Sequence, residues 1–305
     1  MSGPKKIWSP QEGSTPLLLN FLRRTKDFHK GQNFSDLHDW SVSDSRAFWS
    51  EVWDFCGVIG EKGAQSKINS ILPESSFLEN SQINLAENLL KKMSTVTFLK
   101  EGADAEKAEY TAAEFTEFVS YLVQLFKEFN IQPGNSIVSV LPVGIEALAF
   151  TIAGFEIGAV VSSAAPEFGS EAIISRFSQL NPKALIICDS YSWNGKNFDR
   201  REILDSLLKS LPSLELVILV RDELSEDRLN KNDSRIILWS KNPKSKIKLE
   251  HIRREFDHPC NILFTSGTTG TPKGLIHRTG GLVLKHLVEQ TLHCDMKKSD
   301  RVMFY

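Results

Sequence analysis

The sequence predicts an α/β fold: a mostly parallel sheet with crossover helices, preceded by a helical, Trp-rich N-terminal segment. Three observations predict it. From residue 95 onward, short apolar runs alternate with amphipathic stretches of about 10–15 residues, as parallel strands joined by helical crossovers require. Ahead of that point lie four of the six tryptophans, Trp8, Trp40, Trp49 and Trp53, with few β-branched runs. Finally, 305 residues that are 41% hydrophobic and 24% charged can bury a core without help from disulfides or metals.

The elements follow in order. In residues 43–57, Phe48, Trp49, Val52, Trp53 and Phe55 recur at helical spacing behind Ser43 as N-cap, and residues 84–93 form a second helix. A strand spans 96–99. Thr111-x-x-Glu114 is a capping box that opens a helix whose Phe115, Phe118, Leu122, Leu125, Phe126 and Phe129 share one face, and Pro133-Gly134 ends it. Strand 136–141, apolar helix 145–157, strand 160–163 and helix 170–180 follow, the last closed by Asn181-Pro182. Strand 184–188, helix 200–210 and strands 214–220, 236–239 and 261–264 continue the period, and 281–293 is a further apolar helix. The Lys-, Asp-, Asn- and Ser-rich stretch 221–248 reads as a solvated connection. The division expected is 1–94 for the helical segment and 95–305 for the α/β domain.

Charge and composition exclude several functions. Thirty-six Lys and Arg against 38 Asp and Glu leave a formal charge of −2, so no basic face is expected for nucleic acid or an anionic membrane, and an anionic ligand must be bound locally. Cys56, Cys188, Cys260 and Cys294 form no C-x-x-C pair and read as reduced, buried thiols, with neither a zinc site nor a disulfide framework. The N-terminus has charge but no apolar core for a signal peptide, which predicts the cytosol. Residues 147–165 are apolar but interrupted by Glu156, too short to span a membrane.

Other groupings read as structure. His286 and His293 are two helical turns apart without a third ligand, so no metal site is expected, and His277 is notable only for its nearness to the loop described next. Asp104-x-Glu106 and the acids of 222–227 read as solvated surface, and Gly154 and Gly158 as close packing of the apolar helix.

The most informative segment is Thr265-Ser266-Gly267-Thr268-Thr269-Gly270-Thr271-Pro272-Lys273-Gly274, which follows a short apolar strand. Glycines let consecutive N–H groups converge on an anion, hydroxyls add donors, and a lysine supplies compact charge. It is not a Walker A loop, because Pro272 precedes Lys273 and Gly274 follows it in place of a hydroxyl.

The run TSGTTGTPKG resembles the phosphate-loop signature of the adenylate-forming enzymes, among them acyl-CoA synthetases, luciferases and peptide-synthetase adenylation domains. Ile7-Trp8-Ser9-Pro10, Leu37-His38-Asp39-Trp40, Phe48-Trp49-Ser50-Glu51-Val52-Trp53, Asn84-Leu85-Ala86-Glu87-Asn88-Leu89 and Leu292-His293-Cys294-Asp295 extend the resemblance to the acetoacetyl-CoA synthetase branch. The resemblance implies an AMP-binding large domain behind an acetyl-CoA-synthetase-type N-terminal segment. It implies ATP-dependent, AMP-forming ligation of acetoacetate to CoA through acetoacetyl-AMP, with magnesium shielding the phosphates. It assigns Thr265, Ser266, Gly267, Thr268, Thr269, Gly270 and Lys273 to the ATP phosphates, with Pro272 and Gly274 shaping the loop. The family's adenine-stacking aromatic, its ribose Asp, its hinge and its catalytic Lys would all follow Tyr305, so the chain reads as the first half of such an enzyme. Two alternatives stand beside ligation of acetoacetate: a non-catalytic nucleotide-binding or interaction module, and a ligase for another short-chain acid such as acetate. A sheet lacking its later strands is also expected to be marginally stable or to aggregate.

Overall fold

The computed structural model describes residues 15–29, 33–63, 78–99, 107–221, 233–265, 270–297, 300 and 302. They belong to two compact units, one of Met1–Val58, Gly63–Glu79 and Leu282–Tyr305, the other of Ile59–Lys62 and Asn80–Gly281. Trp8 and the Ile7–Pro10 motif lie outside the described residues, as do Asp104, Glu106 and the acids of 222–227.

The first unit begins with α1 (Leu17–Arg24), α2 (Phe34–Ser43) and α3 (Ser45–Phe55). Their aromatic side chains interlock: Phe21 meets Phe48 and Phe55 edge-on at 6.0 and 5.1 Å, and Trp40 meets Phe48 at 5.5 Å. Such edge-to-face contacts favour the ring quadrupoles as well as burying area. The expected N-cap is corrected here. Ser43 is the last residue of α2, and Asp44, whose carboxylate accepts from Ala47 N–H at 3.2 Å, caps α3. Asp44 sits at non-helical φ −134° and ψ 68°, which splits the predicted 43–57 run from the helix before it.

The second unit opens with β1 (Gly60–Glu61), β2 (Gln82–Ile83) and α4 (Leu85–Leu90), the last capped by Asn84. A hairpin of β3 (Thr95–Leu99) and β4 (Lys107–Thr111) leads into α5 (Ala112–Glu128), where both hydrogen bonds of the Thr111/Glu114 capping box form. Then come β5 (Ser136–Val140), α6 (Ile145–Ile157), β6 (Val160–Ala164), α7 (Ser170–Phe177) and β7 (Ala184–Cys188). The hairpin β8 (Ser190–Trp193) and β9 (Lys196–Asp199), α8 (Arg201–Ser210), β10 (Leu216–Val220) and β11 (Ile236–Leu238) follow. Last are β12 (Arg254–Glu255), β13 (Pro259–Thr265), β14 (Lys273–Arg278) and the start of α9 (Thr279–Leu287); from Leu282 onward α9 and the π-helix that follows it (Val288–His293) belong to the first unit.

The main sheet has the order β11-β10-β7-β5-β6-β13-β14, parallel except for the last pair. The chain passes from β5 to β6 on one side, then over β5 to β7 on the other, a topological switch of the kind that opens a crevice beyond the carboxyl ends of the strands. Side chains alternate between two covered faces. Val138, Val140, Leu185, Ile187, Val217 and Leu219 pack with Ile173 and Phe177 of α7 and with Leu204 and Leu207 of α8. On the opposite face α6 lies close enough that a Cβ at Gly154 would fall 2.7 Å from both Ile137 and Val161, so this glycine serves contact with the sheet. Phe126 of α5 meets Phe150 of α6 edge-on at 5.5 Å. A helix apolar all round, like α6, is stable only when covered in this way.

Glu156, the charge that interrupts 147–165, is buried and satisfied: it accepts from His251 N–H at 2.7 Å and contacts His251 Nδ1 at 2.8 Å. Among the described residues, no helix is long and apolar enough to cross a membrane. Cys188 and Cys260 are buried, whereas Cys56 is half-buried and Cys294 exposed, so the expectation of four buried thiols holds for two.

Candidate functional site: the β13–β14 hairpin

The predicted loop lies between two strands rather than after one. β13 continues through Thr265, and β14, which sequence patterning did not reveal, begins at Lys273 and runs back antiparallel. Ile262 pairs with Ile276, Leu263 with Leu275, Phe264 with Gly274 and Thr265 with Lys273. Thr265 and Lys273, eight residues apart in sequence, are thus opposite each other at the mouth of the loop. Because β13 is parallel to β6, this mouth opens at the carboxyl edge of the sheet, where α/β folds place their ligands.

Local chemistry explains the shape. Gly274 faces Phe264, and a Cβ there would lie 3.4 Å from the Phe264 ring and 3.1 Å from Ile262 Cγ2, so the absence of a side chain lets the strand pass under its neighbours. Gly270 has φ +96°, a left-handed conformation that a residue with a Cβ adopts only with strain. Pro272 is buried, and its carbonyl accepts a 3.2 Å hydrogen bond from Gln179 Nε2. Thr265, Gly270 and Lys273 are exposed to solvent. The structure therefore brings together Thr265 and Lys273, with Gly270 in the turn between them, while Ser266, Gly267, Thr268 and Thr269 lie outside the described residues. A hydroxyl, a lysine ammonium and a glycine turn at a strand end are the donors and the backbone freedom that an anion needs.

β13 itself is lightly attached to the parallel sheet. Its described pairing with β6 is Asn261 with Val161, whereas its ladder with β14 runs the length of the strand, with a register shift between Pro259 and Asn261. Ser162 Oγ adds a 2.7 Å bond to the carbonyl of Ile262. His277, on β14, is half-buried and pairs with Asn261, and its carbonyl accepts from Cys260 Sγ at 3.4 Å; His286 and His293 are exposed on α9 and the π-helix. Among the described residues no group of three or more His, Cys, Asp or Glu is placed to hold a metal ion. Ser162 and Gln179 are the contacts to this hairpin that sequence reading missed. No sequence signal marks them, since each acts across about a hundred residues.

The family model for AMP-binding enzymes matches residues 88–305, which include the whole hairpin. The chain belongs to the AMP-binding enzyme family. Within this family it is 33% identical over 286 residues to an acetoacetyl-coenzyme A synthetase of Rhizobium meliloti (strain 1021), a match covering 90% of this chain and 43% of that protein. It is also 33% identical over 288 residues to an acetoacetyl-CoA synthetase of Danio rerio, covering 90% of this chain and 42% of that one. Among solved structures, an acetoacetyl-CoA synthetase from Streptomyces lividans superposes with a TM-score of 0.85 at 27% identity, over 96% of this chain and 46% of its own. The AMP-binding chain described here thus spans less than half the length of the curated relatives it matches.

Proposed function

We propose that this chain carries the ATP-phosphate site for AMP-forming ligation of acetoacetate to CoA. The observation that carries the reading is the Thr265–Lys273 pair at the mouth of the TSGTTGTPKG loop, on the carboxyl edge of a parallel sheet. The names of its relatives supply the acid. In this reading a carboxylate oxygen of acetoacetate attacks the α-phosphorus of ATP, the bond from that phosphorus to the bridging oxygen breaks, and pyrophosphate leaves. The sulfur of CoA then displaces AMP from acetoacetyl-AMP, and the thiol proton passes to solvent.

The residues of this chain act on the leaving group. Thr265, Ser266, Gly267, Thr268, Thr269 and Gly270 offer hydroxyl and backbone donors to the β- and γ-phosphates, and Lys273 follows their charge as pyrophosphate departs. Magnesium enters as the ion that accompanies ATP, and no step is assigned to a protein-bound metal. The same reading places the protein in the cytosol, in ketone-body, fatty-acid and lipid metabolism, with small-molecule partners and neither nucleic acid nor a membrane. The helical segment 1–94 and the AMP-binding domain 95–305 are the proposed divisions.

The test is acetoacetate-dependent exchange of labelled pyrophosphate into ATP, with Lys273→Ala and Thr268→Ala alongside the unaltered chain. Exchange that requires acetoacetate and falls by roughly tenfold or more in Lys273→Ala, the scale of one charge-assisted hydrogen bond, is the expected result. Exchange that prefers acetate would reassign the acid. Lys273-dependent pyrophosphate binding with no exchange would leave a non-catalytic nucleotide-binding module.

A further inference from the structure

Gln179 stands in the turn after α7, and its side-chain amide nitrogen has two hydrogens and two acceptors. One bond, at 2.7 Å, goes to the carbonyl of Ser175; the other, at 3.2 Å, goes to the carbonyl of Pro272, 93 residues away. Both partners are carbonyl oxygens, so only the nitrogen of the amide can face them. The Ser175 carbonyl is one that the end of α7 leaves over, because the backbone N–H of Gln179 turns to Arg176 instead. Gln179 therefore closes the helix end and grips the loop with the same group.

What it grips matters. The carbonyl of Pro272 shares a rigid peptide plane with the N–H of Lys273. Proline also fixes φ at its own position, so orienting its carbonyl sets the direction in which the chain enters Lys273. Lys273 is exposed and, among the described residues, its ammonium makes no ion pair or hydrogen bond. Its position comes from the pairing with Thr265 on one side and from the Pro272 peptide on the other.

We propose that Gln179 is a positioning residue for Lys273, acting through the Pro272 carbonyl to aim the lysine at the phosphates of a nucleotide. This rests on the reading of the loop as a phosphate site. Gln179 is itself exposed, so its replacement disturbs no core packing. Methionine keeps the length of the side chain and removes both donors, whereas glutamate turns an attraction for two carbonyls into a repulsion.

The experiment is a double-mutant cycle on MgATP affinity, measured by isothermal titration calorimetry on the 305-residue chain, its Gln179→Met, Gln179→Glu and Lys273→Ala variants, and the Gln179→Met/Lys273→Ala double variant, with a thermal melt of each. Gln179→Met is expected to weaken MgATP binding by about threefold to tenfold, the worth of one neutral hydrogen bond, with Gln179→Glu weaker still and melting unchanged. In the Lys273→Ala background the same substitution is expected to change nothing, which a merely structural role would not produce. An equal loss in both backgrounds, or no loss while Lys273→Ala still weakens binding, overturns the role of Gln179 and leaves the phosphate site standing. Binding indifferent to Lys273→Ala overturns both.

Discussion

Ser162 Oγ donates to the carbonyl of Ile262 at 2.7 Å, a buried bond across the junction of β6 and β13. Regular ladder pairing is sparse there, with Asn261 opposite Val161 as the described rung. Ser162 is 1% exposed, so no water replaces the hydroxyl when it is removed. Ser162→Ala is expected to lower stability by about 1–3 kcal/mol, the cost of leaving a buried carbonyl without its donor. Urea unfolding of the two proteins measures it, and equal midpoints would show that the Ser162 hydroxyl adds nothing to the hold on β13.

α6 was readable to both ends because thirteen residues of nearly unbroken apolar character between Gly144 and Gly158 admit no other element. The start of α5 was readable because Thr111 and Glu114 satisfy each other's backbone within one turn. Local signals of that kind survive folding intact. Ser43 misled because Asp44 beside it is an equally good capping residue, and only the backbone break at Asp44 decides between them. The β8–β9 hairpin carries its own sequence signal in Asn194-Gly195, both at positive φ, a turn pair suited to two-residue hairpins.

The candidate site was legible in composition but not in geometry. Residue types at 265–274 announce an anion loop, yet nothing in them says that Thr265 and Lys273 share a rung, because β14 is defined by its partner rather than by its own pattern. Leu275 and Ile276 are more than half exposed, so the strand carries no periodic buried face to read. Gln179 and Ser162 are ordinary polar residues until the crossovers bring them to the hairpin.

Thiol reactivity follows from burial. Burial pushes the Cys188 thiol up to about 12, with the charge of Asp189 adding to it, and burial pushes Cys260 up to about 11. Thiolate is the reactive form, so neither reacts while the fold is closed. Brief iodoacetamide treatment of the native protein near neutral pH is expected to mark exposed Cys294 first and half-buried Cys56 more slowly. Peptide mapping reads the order. Adducts on Cys188 or Cys260 arriving with those on Cys294 would mean that the carboxyl end of β7, or the start of β13, opens readily.

Acid stability turns on Glu87. Its side chain is 4% exposed and holds Lys91 Nζ at 2.6 Å and Arg253 Nε at 2.9 Å, joining α4 to the segment before β12. Burial alone would raise its pKa, but the hydrogen bonds and charges of Arg253 and Lys91 outweigh burial and hold it below the ordinary value of 4.5. A carboxyl depressed in the folded state stabilises fully above its unfolded pKa, and the stabilisation fades as pH falls toward the folded one. Glu87→Gln is therefore expected to cost about 1.5–3 kcal/mol at neutral pH, the range for hydrogen bonds to a charged group. Below pH 4.5 the gap between the two proteins should narrow, since the native carboxyl takes up its proton there while the glutamine has none to take. Urea midpoints across the acid range measure that gap. A gap that stays constant with pH would assign the loss to altered packing and remove Glu87 from the acid response.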